Sequence, residues 1–285
     1  MNYFELLQNL KQLNKNYKVK VIGKTKFNRE IIAVERILDR SFSTAILVAG
    51  MHAREHISSD VLMEMINRDL FKNVTKFNLS FILLSNPDGV ELQSGGLSSF
   101  PIKTQKKLLE MNGGNADFSM WKANARGVDL NNNFDAKWGT NTHSNVPASH
   151  GFIGEKAMDQ RETRAIARYT KKMKPFITIS YHTKGEEIYF NFFQEGSRLA
   201  RDEEIARQFA KSTGYKIVNV EKMSSGGYKD WCVENLKIPA LTIELGDDNL
   251  THPITKARLQ EIYDKNKMIA SDLEFAYNEF IKAGE

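Results

Sequence analysis

Residues 43–56, STAILVAGMHAREH, constrain the chain more than any other stretch. Ile46, Leu47, Val48 and Ala49 read as a buried strand, Gly50 permits a sharp exit from it, and residues 57–71 carry the pattern of a helix. His52, Arg54 and Glu55 follow the strand at once, so polar residues of metal-ligand type stand at a strand's C-terminal end. That is where α/β sheets place their sites.

A histidine and a glutamate separated by two residues can aim an imidazole nitrogen and a carboxylate oxygen at one cation, provided the backbone between them turns. Catalytic zinc commonly has three protein ligands and an open position for water, so a third ligand is expected far down the chain. The pattern is common by chance, and the rest of the sequence must supply its context.

The chain otherwise alternates strands and helices. After an amphipathic start (Phe4, Leu6, Leu7, Leu10, Leu13), strands are expected at 17–22 and 30–37 around a turn at 26–29. A strand at 76–84 runs into Asn86-Pro87-Asp88-Gly89, which reads as a turn. A short helix is expected at 103–111 within a glycine-rich polar stretch, and residues 121–138 form a long polar loop, a type more often functional than decorative. A helix at 159–173 precedes a strand at 176–181 that delivers His182. A strand at 187–193, a helix at 197–213, a short strand at 216–220 and a helix at 228–235 come next. The strand 239–245 carries Glu244, and one long amphipathic helix is expected over 256–283. The pattern predicts an α/β fold with a mixed, mainly parallel sheet covered by helices on both faces. One domain is expected over 1–285: an N-terminal helix and strands in 1–42, a catalytic core at about 43–250, and a C-terminal helix at about 256–283.

The formal charge of +5 and pI near 9.0 come from dispersed lysines, densest at Lys171, Lys172 and Lys174, where they suit a helix C-terminus. No aromatic residues interleave with them as in an RNA-binding surface, so no nucleic-acid partner is expected. No apolar run is long enough for a membrane span, and the N-terminus lacks the pattern of a secretory signal. The single cysteine, Cys232, precludes an internal disulfide. A cytoplasmic location is the expectation.

His52 and Glu55, then His182, then Glu244 all fall on or just after the ends of core strands and can converge on one pocket. A buried histidine bonded to a backbone carbonyl is the plainer account of His182, and a lysine partner that of Glu244. Yet a carboxylate inside LTIEL is costly to bury, and a dry metal site gives it both a partner and a use. Zinc held by His52, Glu55 and His182 would lower the pKa of a bound water toward about 7, with Glu244 as the base that takes its proton. His56, His143, His150 and His252 lie in looser contexts and read as surface or hydrogen-bonding residues.

These residues also carry a resemblance. His52-Ala53-Arg54-Glu55, Asn86-Pro87-Asp88-Gly89, Gly127-Val128-Asp129-Leu130-Asn131, the strand ending at His182, Gly226-Gly227 before Asp230-Trp231, and Thr242-Ile243-Glu244-Leu245 stand in the order found in zinc metallocarboxypeptidases, peptidase family M14. The resemblance runs from about Ala45 to Asp247. It implies one zinc per chain on His52, Glu55 and His182, Glu244 as the catalytic glutamate, and substrate contacts from Arg54 and Asn131. Lys122 occupies the place of an arginine that polarises the scissile carbonyl, so either Lys122 or the nearby Arg126 is expected to serve the oxyanion.

Two departures bear on substrate. Members that trim a free C-terminus carry an arginine where this chain has Asn132, and digestive members carry a tyrosine where it has Lys222. The segments NNNFDAKWG and HTKGEEIYF resemble instead a bacterial branch similar to γ-D-glutamyl-meso-diaminopimelate peptidases. Lys229 falls where the family selects the released residue, and a cation there suits a carboxylate-bearing group, although a surface lysine is an equally simple reading. The expected partner is therefore a small peptide, such as a cell-wall stem peptide. A carboxypeptidase or amide hydrolase acting on other small peptides is the alternative enzyme, and a zinc-holding peptide binder without catalysis the alternative of another class. The sequence leaves the oligomeric state open.

Overall fold

Four fully buried strands explain the architecture: β3 (Thr44–Val48), β4 (Asn78–Ile82), β5 (Pro175–His182) and most of β8 (Ala240–Glu244). Apolar side chains on both pleat faces need cover on both sides, the condition that parallel strands joined by helices meet. The computed structural model describes residues 1–219 and 224–284. Within them the strands form one eight-stranded sheet in the order β1-β2-β4-β3-β5-β8-β6-β7, with β1 at Lys18–Lys24, β2 at Glu30–Arg36, β6 at Glu187–Tyr189 and β7 at Lys216–Ile217. β4, β3, β5 and β8 run parallel, while β2 and β6 pair antiparallel to β4 and β8. The mixed, mainly parallel α/β sheet is thus as expected.

Period two divides the core in half. Ala45, Leu47 and Ala49 pack with residues of α1 (Tyr3–Leu10), α2 (Ile57–Asn67), α3 (Pro87–Gly95), α4 (Ile102–Met111), α6 (Gly196–Thr213), α8 (Leu259–Asn266) and α9 (Ile269–Lys282). Ile46 and Val48 face the other layer, with Ala165, Ile166 and Tyr169 of α5 (Arg161–Met173) and Tyr228 and Trp231 of α7 (Tyr228–Trp231). Gly23 of β1 lets α5 approach so closely that an added Cβ would lie 2.5 Å from the Ala165 Cβ.

The structure corrects three expectations. Asn86-Pro87-Asp88-Gly89 starts α3 rather than making a free turn: Asn86 Oδ1 accepts from the Gly89 N–H at 3.0 Å and Pro87 occupies the first helical position, where its missing N–H costs nothing. The C-terminal segment is two helices, not one. Buried Asn266 turns its amide onto Ile262 O and Tyr215 Oη, and the break after it lets α8 lie on α2 while α9 lies on α6 and β5. The strand expected over 187–193 ends at Tyr189. No helix among the described residues is long and apolar enough to cross a membrane.

Candidate metal centre

Gly50 takes φ +62° where β3 ends, and a Cβ there would lie 2.8 Å from Ser59 Oγ and 2.9 Å from Leu84 Cδ1. A glycine is therefore required for the chain to leave the strand under α2. His52 comes next in extended backbone, and a 3₁₀ turn at Ala53–Glu55 swings Glu55 back beside it. His182 arrives on the neighbouring strand β5, and Glu244 stands directly opposite it on β8.

The three expected ligands meet. His52 Nδ1 lies 2.9 Å from Glu55 Oε1, and His182 Nδ1 lies 3.1 Å from both His52 Nδ1 and Glu55 Oε2. Their ligand atoms fall within 4.8 Å of one another. The outward nitrogens are engaged: His52 Nε2 is 3.1 Å from Asp129 Oδ1, and His182 Nε2 is 3.0 Å from Ser180 Oγ. With each Nε2 donating, both Nδ1 atoms turn a lone pair toward the Glu55 carboxylate, a two-nitrogen, one-oxygen donor set that fits zinc.

Electrostatics supports this arrangement. Burial opposes ionisation of Glu55, yet His52 and His182 hold its carboxyl well below the usual range. Burial likewise works against the Asp129 carboxylate, but Lys122, with Nζ 3.0 Å from Oδ2, and His52 hold its pKa down. Glu244 goes the other way: burial pushes its pKa up to about 8, against the pull of His182, with Glu55 adding to the rise. Its Oε2 is buried without a hydrogen-bond partner among the described residues.

Glu244 forms part of the wall of a cavity of about 270 Å³ that Asn131, Asn132, Tyr189, Lys229 and Thr242 also line. Asn131 Oδ1 accepts from the Tyr228 N–H at 3.0 Å, which fixes the amide. Gly226 clamps this wall, since its would-be Cβ lies 2.5 Å from Asn132 O and its backbone bonds both Ala136 and Phe134. Lys229 is no surface residue: it is buried, with Nζ 2.5 Å from Asp230 Oδ1 and donating to Asn191 O at 2.8 Å. Lys222 lies outside the described residues.

Of the two candidates for the oxyanion, the structure brings only Lys122 to the ligands, through Asp129. Arg126 is exposed and lines a separate cavity with Lys26, Lys107 and Met111. The tight turn in which Asn124 accepts from the Arg126 and Gly127 N–H groups sends that side chain outward. Arg54 is partly buried between the ligands His52 and Glu55. Sequence reasoning missed the contacts of Asp129 and Ser180 with the ligand histidines. Asp129 belongs to the stretch Gly127-Val128-Asp129-Leu130-Asn131, and Ser180, two residues before a ligand on a strand, shares its face. His252 is the hydrogen-bonding residue expected of it, with Nδ1 3.4 Å from Thr183 Oγ1.

Comparison with known proteins agrees with this geometry. The zinc carboxypeptidase family model matches residues 3–268. A curated relative, gamma-D-glutamyl-L-diamino acid endopeptidase 1 of Lysinibacillus sphaericus, is 30% identical over 233 residues, covering 76% of this chain and 57% of the relative. The chain thus spans little more than half of that protein's length. Among solved structures, bovine thrombin-activatable fibrinolysis inhibitor superposes with a TM-score of 0.79 at 17% identity, over 98% of this chain and 97% of that one. A murein-tripeptide amidase from Escherichia coli O157 gives 0.57 at 19% identity, over 92% of each chain. At such identities the likeness establishes the fold. A family match over nearly the whole chain, meeting a His-Glu-His cluster at the ends of its central strands, shows that this protein belongs to the zinc carboxypeptidases, peptidase family M14.

Proposed function

We propose that the chain is a zinc-dependent peptidase that hydrolyses an amide bond in small peptides derived from peptidoglycan, of the γ-D-glutamyl-diaminopimelate type. The observation that carries the reading is Glu244: a partly buried carboxylate whose buried Oε2 has no hydrogen-bond partner among the described residues, opposite the ligand His182 and lining a polar cavity. His52, Glu55 and His182 would hold the zinc, which would supply Lewis-acid polarisation of the substrate carbonyl and acidify the attacking water toward a pKa of about 7. Glu244, opposite the ligand His182, would take the proton of the attacking water and pass it to the departing amine. Lys122, steadied by Asp129, offers positive charge to the developing oxyanion. Asn131 holds the released residue, and its fixed amide is set for one orientation.

Two features favour the substrate class. Asn132 stands in the cavity wall and cannot grip a terminal carboxylate as an arginine does, and Lys229, whose charge Asp230 already balances, lines the same wall. The relative that is 30% identical is named for a γ-D-glutamyl bond to a diamino acid. In this reading the peptides are met in the cytoplasm.

Metal analysis with hydrolysis of L-Ala-γ-D-Glu-meso-diaminopimelate, before and after chelation and zinc return, tests the proposal. One zinc per chain with chelator-sensitive release of diaminopimelate is expected. A Glu244→Gln variant should keep its zinc and lose roughly 10²–10⁴ in kcat. Stoichiometric zinc with no cleavage would refute the substrate class, and undiminished hydrolysis by the variant would refute the role of Glu244.

A further inference from the structure

In the proposed reading the released residue lies in the cavity beside Glu244, and one side of that cavity is a strip of sheet. β6 runs antiparallel to β8, with Glu187 opposite Glu244 and Tyr189 opposite Thr242. Residues directly opposite on paired strands project to the same face, and Ile188 and Ile243, between them, pack into the other layer of the core. The side chains of Glu187, Tyr189, Thr242 and Glu244 therefore stand together on the cavity's face of the sheet, and the last three line the cavity itself.

Glu187 is the carboxylate of this strip that the proposed reaction leaves without a task. It is partly exposed and forms no ion pair with a described residue: Lys216, its register neighbour on β7, makes none with it, Lys184 is taken by Asp248, and Lys265 by Glu186. Across the cavity wall, Asp230 balances Lys229. What Glu187 does hold is a hydroxyl, since Tyr189 Oη donates to its Oε2 at 2.6 Å. Burial, that bond and the charges of Glu187 and Glu244 raise the pKa of the phenol, so Tyr189 keeps its proton and remains the donor. Two acceptors are left open side by side: Glu187 Oε1, and the lone pairs of Tyr189 Oη, whose residue lines the cavity. Like charges directly opposite on paired strands are destabilising, and no described lysine or arginine pairs with either Glu187 or Glu244.

A side-chain ammonium on the released residue meets all of these conditions. It brings three N–H donors to a carboxylate and a phenol oxygen, and a positive charge to a place where two carboxylates face each other. An apolar side chain would leave both acceptors unpaired there, and an acidic one would add to the repulsion. We propose that Glu187, together with the Tyr189 hydroxyl, binds the second amino group of the released residue, so that the cavity selects a diamino acid over its counterpart with a single amine. The selection rests on the proposed peptidase reading for its place in catalysis, but the affinity for an ammonium does not depend on turnover.

Two matched pairs of compounds test this on the zinc-loaded chain. The peptides are L-Ala-γ-D-Glu-meso-diaminopimelate and L-Ala-γ-D-Glu-L-2-aminopimelate, which differ in the second amino group alone and are compared by kcat/KM. The free ligands are L-lysine and L-norleucine, which differ in the same way and are compared by calorimetry. The parent protein should favour the amine-bearing member by at least about tenfold in each pair, the discrimination expected of a hydrogen bond to a charged group. Glu187→Gln should bring both ratios near one, through KM more than kcat and with zinc content kept, and Tyr189→Phe should lower them several-fold. If Glu187 were merely structural, its loss would depress both members of a pair alike and leave the ratio at the parent's value, which would overturn the assignment. Ratios near one in the parent protein would overturn it too, without recourse to any variant. Preference for lysine with no cleavage of either peptide would uphold the ammonium subsite and overturn the peptidase reading, while cleavage of both peptides with equal efficiency would do the reverse.

Discussion

Replacing Asp129 by asparagine removes a negative charge that serves two cations at once. The carboxyl is 1% exposed, with Oδ1 3.1 Å from His52 Nε2 and Oδ2 3.0 Å from Lys122 Nζ. Asparagine keeps the shape but has a single acceptor oxygen, so it can satisfy either His52 or Lys122 and must turn its own NH₂ toward the other. Where the NH₂ faces His52, the imidazole proton shifts to Nδ1, the atom whose lone pair belongs to the metal. Loss of such an outer partner typically weakens metal binding 10–100-fold, about 1.4–2.7 kcal/mol. Breaking a fully buried ion pair costs about 3–5 kcal/mol. Lys122 is 24% exposed, so water recovers part of that loss and the metal-free protein should lose about 1–3 kcal/mol. Competition against a chromophoric chelator measures the first quantity and denaturant unfolding of the metal-free protein the second. Zinc affinity within twofold of the parent, together with unchanged unfolding, would refute the claim that Asp129 orients His52.

Three further outcomes are expected. Burial raises the Glu162 carboxyl to about 7 in the fold, against an ordinary 4.5. The folded state therefore holds this proton more tightly than the unfolded chain, and stability falls as pH rises from about 4.5 to 7, by about 3 kcal/mol in all. Glu162→Gln should abolish that fall and raise Tm above the parent's increasingly through this window, whereas a constant difference in Tm across it would deny the shift. Gly226→Ala places a Cβ against Asn132 O at a backbone with φ +72°; it should cost at least about 1–2 kcal/mol and raise KM several-fold with zinc content intact, and a parental KM would show that this wall does not touch substrate. Gly23→Ala overpacks the contact with Ala165 and should destabilise by about 1–3 kcal/mol in urea unfolding while leaving zinc content unchanged; equal midpoints would show that α5 can back away freely.

The fold was legible where burial and periodicity agree. TAILV and PFITISYH admit few readings other than buried strands, and the positions of His52, Glu55, His182 and Glu244 at strand ends come from reading the strands correctly. Legibility failed where a local signal had two structural meanings. Asn-Pro-Asp-Gly serves equally as a turn and as a helix cap, and the burial of Val90 and Leu92 in the core goes with the helix. The pattern of 256–283 stays amphipathic through the break after Asn266, where the side chain is held by a hydrogen bond to Tyr215, 51 residues away.

By itself, then, the sequence determined the central strands, the sheet class and the residue types gathered at their ends, because apolar runs must be buried and parallel strands carry their C-terminal ends to one edge. Only the tertiary structure decided which nitrogen of each histidine faces the ligand cluster, that Asp129 holds both His52 and Lys122, that Arg126 turns away, and that Lys229 is buried. These are matters of angle and distance between groups as much as 130 residues apart, such as His52 and His182. No local pattern encodes them, because they arise only when the crossovers and loops between the strands bring those groups together.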